Sequence, residues 1–155
     1  MAGRLVKGQI GVIGGGECAP EIYEIAHEVG QEIAKNGFAL VCGGLGGVME
    51  AACRGAKAAE GITIGILPTS NKGDANPYVD LVIPTGLGHA RNVLIVHASD
   101  ALVAIDGEAG TLSEIAVALK IGKPIVGIKS WELEGRVPLA EGASESIHML
   151  LEMLR

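Results

Sequence analysis

Glycine-rich junctions, set where apolar runs give way to loops, constrain this chain more than any other feature. They are Gly14-Gly15-Gly16, Gly43-Gly44-Leu45-Gly46-Gly47, Gly86-Leu87-Gly88 and Gly107-Glu108-Ala109-Gly110. Glycine makes up 24 of 155 residues, roughly twice ordinary usage. It follows no collagen-like period, so it marks sharp turns and close backbone approaches rather than a linker. Between the junctions, short β-rich runs at 9–13, 38–42, 62–67, 79–83, 101–105 and 125–128 alternate with helical patterns. Ile22, Ile25, Ala26, Val29 and Ile33 recur at helical spacing, with Pro20 fit for a first turn and Gly37 for a C-terminal cap. Met49, Ala52, Ala56 and Ala59 form a small-residue face. Residues 89–98 predict a largely buried helix, Leu112, Ile115, Ala116 and Leu119 another stripe, and Ile147, Leu150, Leu151 and Leu154 the last.

Strand–helix alternation with strands apolar on both sides predicts an α/β fold: one doubly wound, mostly parallel, Rossmann-like sheet with helices on both faces. The length suits a single domain over residues 1–155. Ligands of such sheets sit at the carboxyl ends of the strands, near a switch point. An apolar content of 48%, a charged content of 19% and a mean hydropathy of +0.39 exclude a disordered chain. No apolar run reaches the length of a membrane helix. Residues 1–8 carry no leader pattern, so a cytoplasmic protein is expected. Aromatic residues are 3% and net charge is −6, which disfavours a nucleic-acid polymer as partner. Cys18, Cys42 and Cys53 lack disulfide-framework or zinc spacing.

The first junction, Gly14-Gly15-Gly16-Glu17-Cys18-Ala19, fits G-x-G-x-x-A after a strand. A dinucleotide site also wants an acid closing the second strand, where Cys42-Gly43-Gly44 stands. NAD is therefore disfavoured, and Gly15 and Gly16 are either ligand contacts or a tight turn. Gly122-Lys123 precedes Pro124 and a strand, so no Walker loop is present. Gly43, Gly44, Gly46 and Gly47, each costing about 0.5–1 kcal/mol relative to alanine in regular structure, predict backbone approaching a ligand, with Met49 just beyond. Amides of Gly107 and Gly110 and the Thr111 hydroxyl are placed to hold a phosphate at a helix N-terminus. Thr111 and Glu114 also fit a capping box, the purely structural alternative. Arg91 opens an otherwise apolar stretch and needs an anion, a carboxylate or an internal salt bridge.

In this order, the loops resemble the LOG family of Rossmann-like proteins, the cytokinin-activating nucleoside 5′-monophosphate phosphoribohydrolases. Asp106 to Glu114 resembles that family's P-G-G-x-G-T-x-x-E. Gly43 to Met49 resembles its Gly-Gly-x-x-Gly-x-Met loop, and Arg91 stands at its arginine. Within the same superfamily, Gly14-Gly15-Gly16-Glu17, Gly65-Ile66-Leu67-Pro68, Thr85-Gly86-Leu87-Gly88 and Ala90-Arg91-Asn92 resemble the molybdenum cofactor carrier proteins. That resemblance adds Gly86, Gly88 and Asn92 to the ligand-binding candidates. Asp106 and Glu108 depart from the hydrolase signature, as do Ala90 and Asn92. Glu108 sets a carboxylate where a phosphate belongs.

The resemblances imply a binding or carrier protein for a phosphorylated small molecule, either a nucleotide or a molybdopterin-type cofactor. The alternative is a phosphoribohydrolase. In that reaction Glu114 would stabilise an oxocarbenium-like transition state and activate water. Arg91 would hold the phosphate or keep Glu114 ionised. A sensor without turnover is a third reading. No cofactor or metal is required by any of them, and relatives of this fold imply a homodimer or higher homo-oligomer. Cys18, beside a helix start, is a weaker candidate for a reactive thiol.

Overall fold

The computed structural model describes residues 5–155. Residues 1–4, the beginning of the stretch read for a leader, lie outside the described residues. Eleven regular elements follow in order. They are β1 (Gln9–Gly14), α1 (Pro20–Lys35), β2 (Ala39–Cys42), α2 (Val48–Ala58), β3 (Thr63–Leu67), β4 (Leu81–Pro84), α3 (Arg91–Ala98), β5 (Ala101–Ile105), α4 (Ala109–Ile121), β6 (Ile125–Ile128) and α5 (Ala143–Met153). The six strands form one sheet in the order β4-β3-β2-β1-β5-β6, and every pairing is parallel. The chain winds outward from β1 to β4, crosses back through α3, and winds the other way from β5. The direction of winding therefore reverses between β1 and β5.

Alternation along the strands builds a core on each face. Ile10 and Val12 of β1, with Val103 and Ile105 of β5, pack under α1, α2 and α5. Ile13, Leu102 and Ala104 face the opposite way, under α3 and α4. All these side chains are buried, and each large one contributes about 1.5–3 kcal/mol. The α1–α2 crossing is unusually close. A Cβ on Gly30 would strike the Ala52 carbonyl oxygen, and one on Gly55 would strike the His27 carbonyl oxygen.

Several expected boundaries shift. β4 begins at Leu81 rather than 79, because the Asp80 carboxylate turns back to accept hydrogen bonds from Thr63 N and Lys57 Nζ at 3.0 and 2.8 Å. Residues 88–90 form a 3-10 turn, and α3 starts at Arg91. α3 is not largely buried: Val93, Leu94 and His97 face outward. The inward face of α4 is Thr111, Glu114, Ile115 and Ala118, while Ala116 is exposed. A capping box does not form, because the helix begins at Ala109 with Glu108 at its N-cap and no side-chain cap bond. Glu114 thus lies in the second turn. No helix is long and apolar enough to cross a membrane among the described residues.

Candidate functional site

A cavity of 630 Å³ opens at the carboxyl ends of β1, β2 and β5, at the reversal point where such sheets take ligands. Its walls come from four segments. The turn after β1 gives Gly15, Gly16 and Glu17; the turn after β2 gives Gly43, Leu45 and Gly46, with Met49 from α2. The approach to α3 gives His89, Arg91 and Asn92. The loop after β5 and the start of α4 give Asp106, Gly107, Glu108, Gly110, Thr111 and Glu114. Gly44, Gly47, Gly86 and Gly88 do not line it. Gly47, at φ +62°, presses α2 against the first turn, where Val48 N donates to Gly15 O at 3.0 Å. Gly44 packs on Leu67 and Gly65. Gly86 and Gly88 donate to Thr69 O and Pro68 O at 3.0 and 2.9 Å, shaping the turn that leads to Arg91.

Arg91 is 8% exposed. Its Nη1 donates to Asn92 Oδ1 at 2.6 Å, and its Nε is buried without a hydrogen-bond partner among the described residues. The guanidinium lies over Gly43, where a Cβ would sit 2.9 Å from Nη1 and 2.8 Å from Met49 Sδ. A side chain at 43 would therefore displace the Arg91 guanidinium or the Met49 thioether. Burial lowers the Arg91 pKa, against the opposing charges of Glu114 and Cys42. Asn92 Nδ2 lies 3.5 Å from Ser113 Oγ, which donates to Gly110 O at 2.6 Å, so the starts of α3 and α4 are linked.

Glu114 is 6% exposed. Burial pushes its carboxyl up to about 8, and the Arg91 charge offsets this only in part. The two side chains are not an ion pair in contact. Desolvation thus outweighs the Arg91 charge and shifts the Glu114 carboxyl toward its protonated form, against the expectation that Arg91 holds it ionised. Thr111 is buried beside Gly107, whose φ of +98° brings its backbone against the Thr111 side chain.

Cys18 is half-buried. Burial first, then the Asp106 charge, raises its thiol pKa, which argues against an activated nucleophile. Cys42 and Cys53 are buried free thiols 3.4 Å apart. Sequence reading missed Asn76. It donates from its backbone to Gly44 O at 2.8 Å and from Nδ2 to Leu45 O at 2.9 Å, fastening the glycine loop. One asparagine in a polar loop carries no sequence signal for that role.

With this geometry in place, comparison with known proteins is informative. The sequence matches the SLOG cluster4 family over residues 7–152. The chain belongs to that family. A protein of Archaeoglobus fulgidus with no described function is 54% identical over 121 residues, 78% of this chain and 80% of that one. The cytokinin riboside 5′-monophosphate phosphoribohydrolase of Mycobacterium tuberculosis is 36% identical over 121 residues. That match covers 72% of this chain and 64%, less than two thirds, of the hydrolase. Among solved structures, the molybdenum cofactor binding protein of Rippkaea orientalis has a TM-score of 0.91 at 39% identity, covering 98% of this chain and 100% of its own. The molybdenum cofactor carrier protein of Chlamydomonas reinhardtii follows with a TM-score of 0.85 at 36% identity, covering 96% and 98%. Both resemblances drawn from the loops thus reappear in the comparisons.

Proposed function

We propose that the chain binds a phosphorylated small molecule of the molybdopterin type in this cavity, as a binding or carrier protein without turnover. The observation that carries this reading is the buried Arg91 guanidinium in the cavity wall, its Nε without a hydrogen-bond partner among the described residues. A hydrolase of this type needs an ionised carboxylate facing the ribose as positive charge develops. The Glu114 carboxyl is buried, and desolvation pushes it up to about 8, which suits it to donating a hydrogen bond to a ligand. The Arg91 guanidinium supplies the fixed positive charge. The start of α4, with its free amides at Gly110 and Thr111, supplies donors for phosphate oxygens. The cavity volume falls within the usual range for small-molecule sites of about 300–1,000 Å³. Full-length similarity to molybdenum cofactor binding proteins supports the same reading.

The second reading, a nucleoside 5′-monophosphate phosphoribohydrolase, is favoured by the convergence of Arg91, Thr111 and Glu114 in one cavity. One experiment separates the two. Purified protein is titrated with nucleoside 5′-monophosphates and with molybdopterin, and free base is followed by chromatography. Saturable binding without base release is the expected result. Base release that disappears in Glu114→Gln would replace the carrier reading with the hydrolase.

The carrier is proposed to act as a homodimer. Leu81 and Ile83 of edge strand β4 pair in register with Ile64 and Ile66, so they face the α3 side. They are 56% and 47% exposed, and Val93 and Leu94 of α3, on the same side of the sheet, are also exposed. Two copies packed about a two-fold axis would lay one α3 over the other's sheet edge, hiding a surface that a monomer leaves in water. The Leu81→Asp/Ile83→Asp variant is expected to elute as a monomer in size-exclusion chromatography with multi-angle scattering, where the parent elutes as a dimer. A monomeric parent would end this proposal.

A further inference from the structure

Arg91 brings a full positive charge into the cavity wall while only 8% exposed. A buried guanidinium ordinarily lies against a carboxylate, because an uncompensated charge out of water is costly. Among the described residues no carboxylate is in ion-pair contact with it. Glu114 lines the same cavity and acts on Arg91 through its charge, without contact. The acceptor that holds the guanidinium is instead a neutral amide. Nη1 donates to Asn92 Oδ1 at 2.6 Å, and Nε has no hydrogen-bond partner among the described residues.

Helix geometry alone does not supply this contact. Arg91 and Asn92 are the first two residues of α3, and consecutive side chains on a helix do not ordinarily face each other. Here both are buried and both line the cavity. The arginine can turn toward its neighbour because Gly43 leaves room for it: a Cβ there would lie 2.9 Å from Nη1. Asn92 is linked in turn to α4. Its Nδ2 lies 3.5 Å from Ser113 Oγ, and Ser113 Oγ donates to Gly110 O at 2.6 Å. The guanidinium is thus oriented through a chain of neutral groups that ends at the start of α4.

We infer that Asn92 is a positioning residue that orients the Arg91 guanidinium without neutralising it, so that the positive charge is kept for the anionic part of the ligand. This rests on the phosphorylated-ligand reading above and adds the residue that sets the strength of the anion contact. An aspartate would offer Nη1 the same acceptor. It would also cancel the charge, and a guanidinium already paired with a carboxylate attracts an incoming anion less strongly. An alanine would leave the charge but release the guanidinium from its fixed orientation, so that binding has to order it again.

The test is equilibrium dialysis of the full chain with molybdopterin, beside thermal melts without ligand. Asn92→Asp is expected to bind at least about tenfold more weakly than the parent. Its Tm should equal or exceed the parent's, because the new carboxylate meets a buried cation. A loss of affinity without a loss of stability is what a packing role for Asn92 would not produce. Asn92→Ala is expected to bind about tenfold more weakly in the parent background. In the Arg91→Ala background the same change should cost less than about twofold, since residues that act through one another are not additive. Undiminished binding by Asn92→Asp, a Tm for it well below the parent's, or an equal loss from Asn92→Ala in both backgrounds would overturn the inference. Each of these would leave ligand binding by the cavity intact. A parent protein that binds no molybdopterin would overturn both the inference and the reading beneath it.

Discussion

Alanine at position 55 is expected to destabilise the protein by about 3 kcal/mol or more, at the upper end of what overpacking does. Gly55 sits inside α2, where alanine is intrinsically favoured by about 1 kcal/mol over glycine. That preference is outweighed by contact. The new Cβ would collide with the His27 carbonyl oxygen of α1, and backbone cannot swing aside as a flexible side chain can. Gly30 meets Ala52 O in the reciprocal way, so separating the helices to relieve one clash loosens both. The movement would spread to Ile22, Ala26, Val29 and Ile33, which are buried beneath α1. Urea unfolding measures the effect directly. Gly142→Ala is the control: no heavy atom lies within 4 Å of its Cβ position and its φ is −165°, so its midpoint should barely move. A Gly55→Ala midpoint equal to the parent's would show that the crossing is looser than the Gly30–Gly55 geometry requires.

The architecture was legible because local signals and global fold agree here. Apolar runs such as 101–105, buried at every position, can belong only to a covered strand. Glycine junctions marked their carboxyl ends. Where the reading slipped, a tertiary contact had the decisive role. The register of β4 depends on Asp80 binding Thr63, 17 residues away, which no local window contains. The capping-box alternative failed because Thr111 and Glu114 imitate a cap, whereas the N-cap lies three residues earlier, at Glu108. The proximity of Arg91, Thr111 and Glu114 followed from the loop order, since all three stand at carboxyl ends near the reversal point. The protonation of Glu114 did not follow. It depends on how little water reaches the carboxyl and how far away the guanidinium stops, and sequence carries neither quantity. The exposure of the 93–94 pair was also hidden. The run Val93–Val96 is apolar at every position, so its outward pair cannot be told from its inward pair by sequence.

Arg91→Ala is expected to weaken ligand binding by about 100-fold or more, since a buried charge-assisted contact to an anion contributes on the order of 3 kcal/mol. The protein should remain folded, because the lost side chain is a desolvated cation whose Nε has no hydrogen-bond partner among the described residues. Arg91→Lys should not restore affinity, because an ammonium cannot keep the bond to Asn92 and present a second planar donor to the ligand at once. Glu114→Gln separates the two members of the pair. In the parent, the Glu114 pKa of about 8 lies above its ordinary 4.5. The native state therefore holds an extra proton between those values. Its contribution to stability is fully present below pH 4.5 and is lost as pH rises through 8. Glutamine mimics the protonated acid, so this part of the pH slope should vanish and the variant should melt higher than the parent at pH 9. If Glu114 binds ligand as a neutral acid, parent affinity should fall from pH 7 to pH 9 while the Glu114→Gln affinity stays level. An affinity that rises with pH in the parent and collapses in the glutamine variant would mean that the carboxylate is the working form. The hydrolase reading would then be the one to pursue.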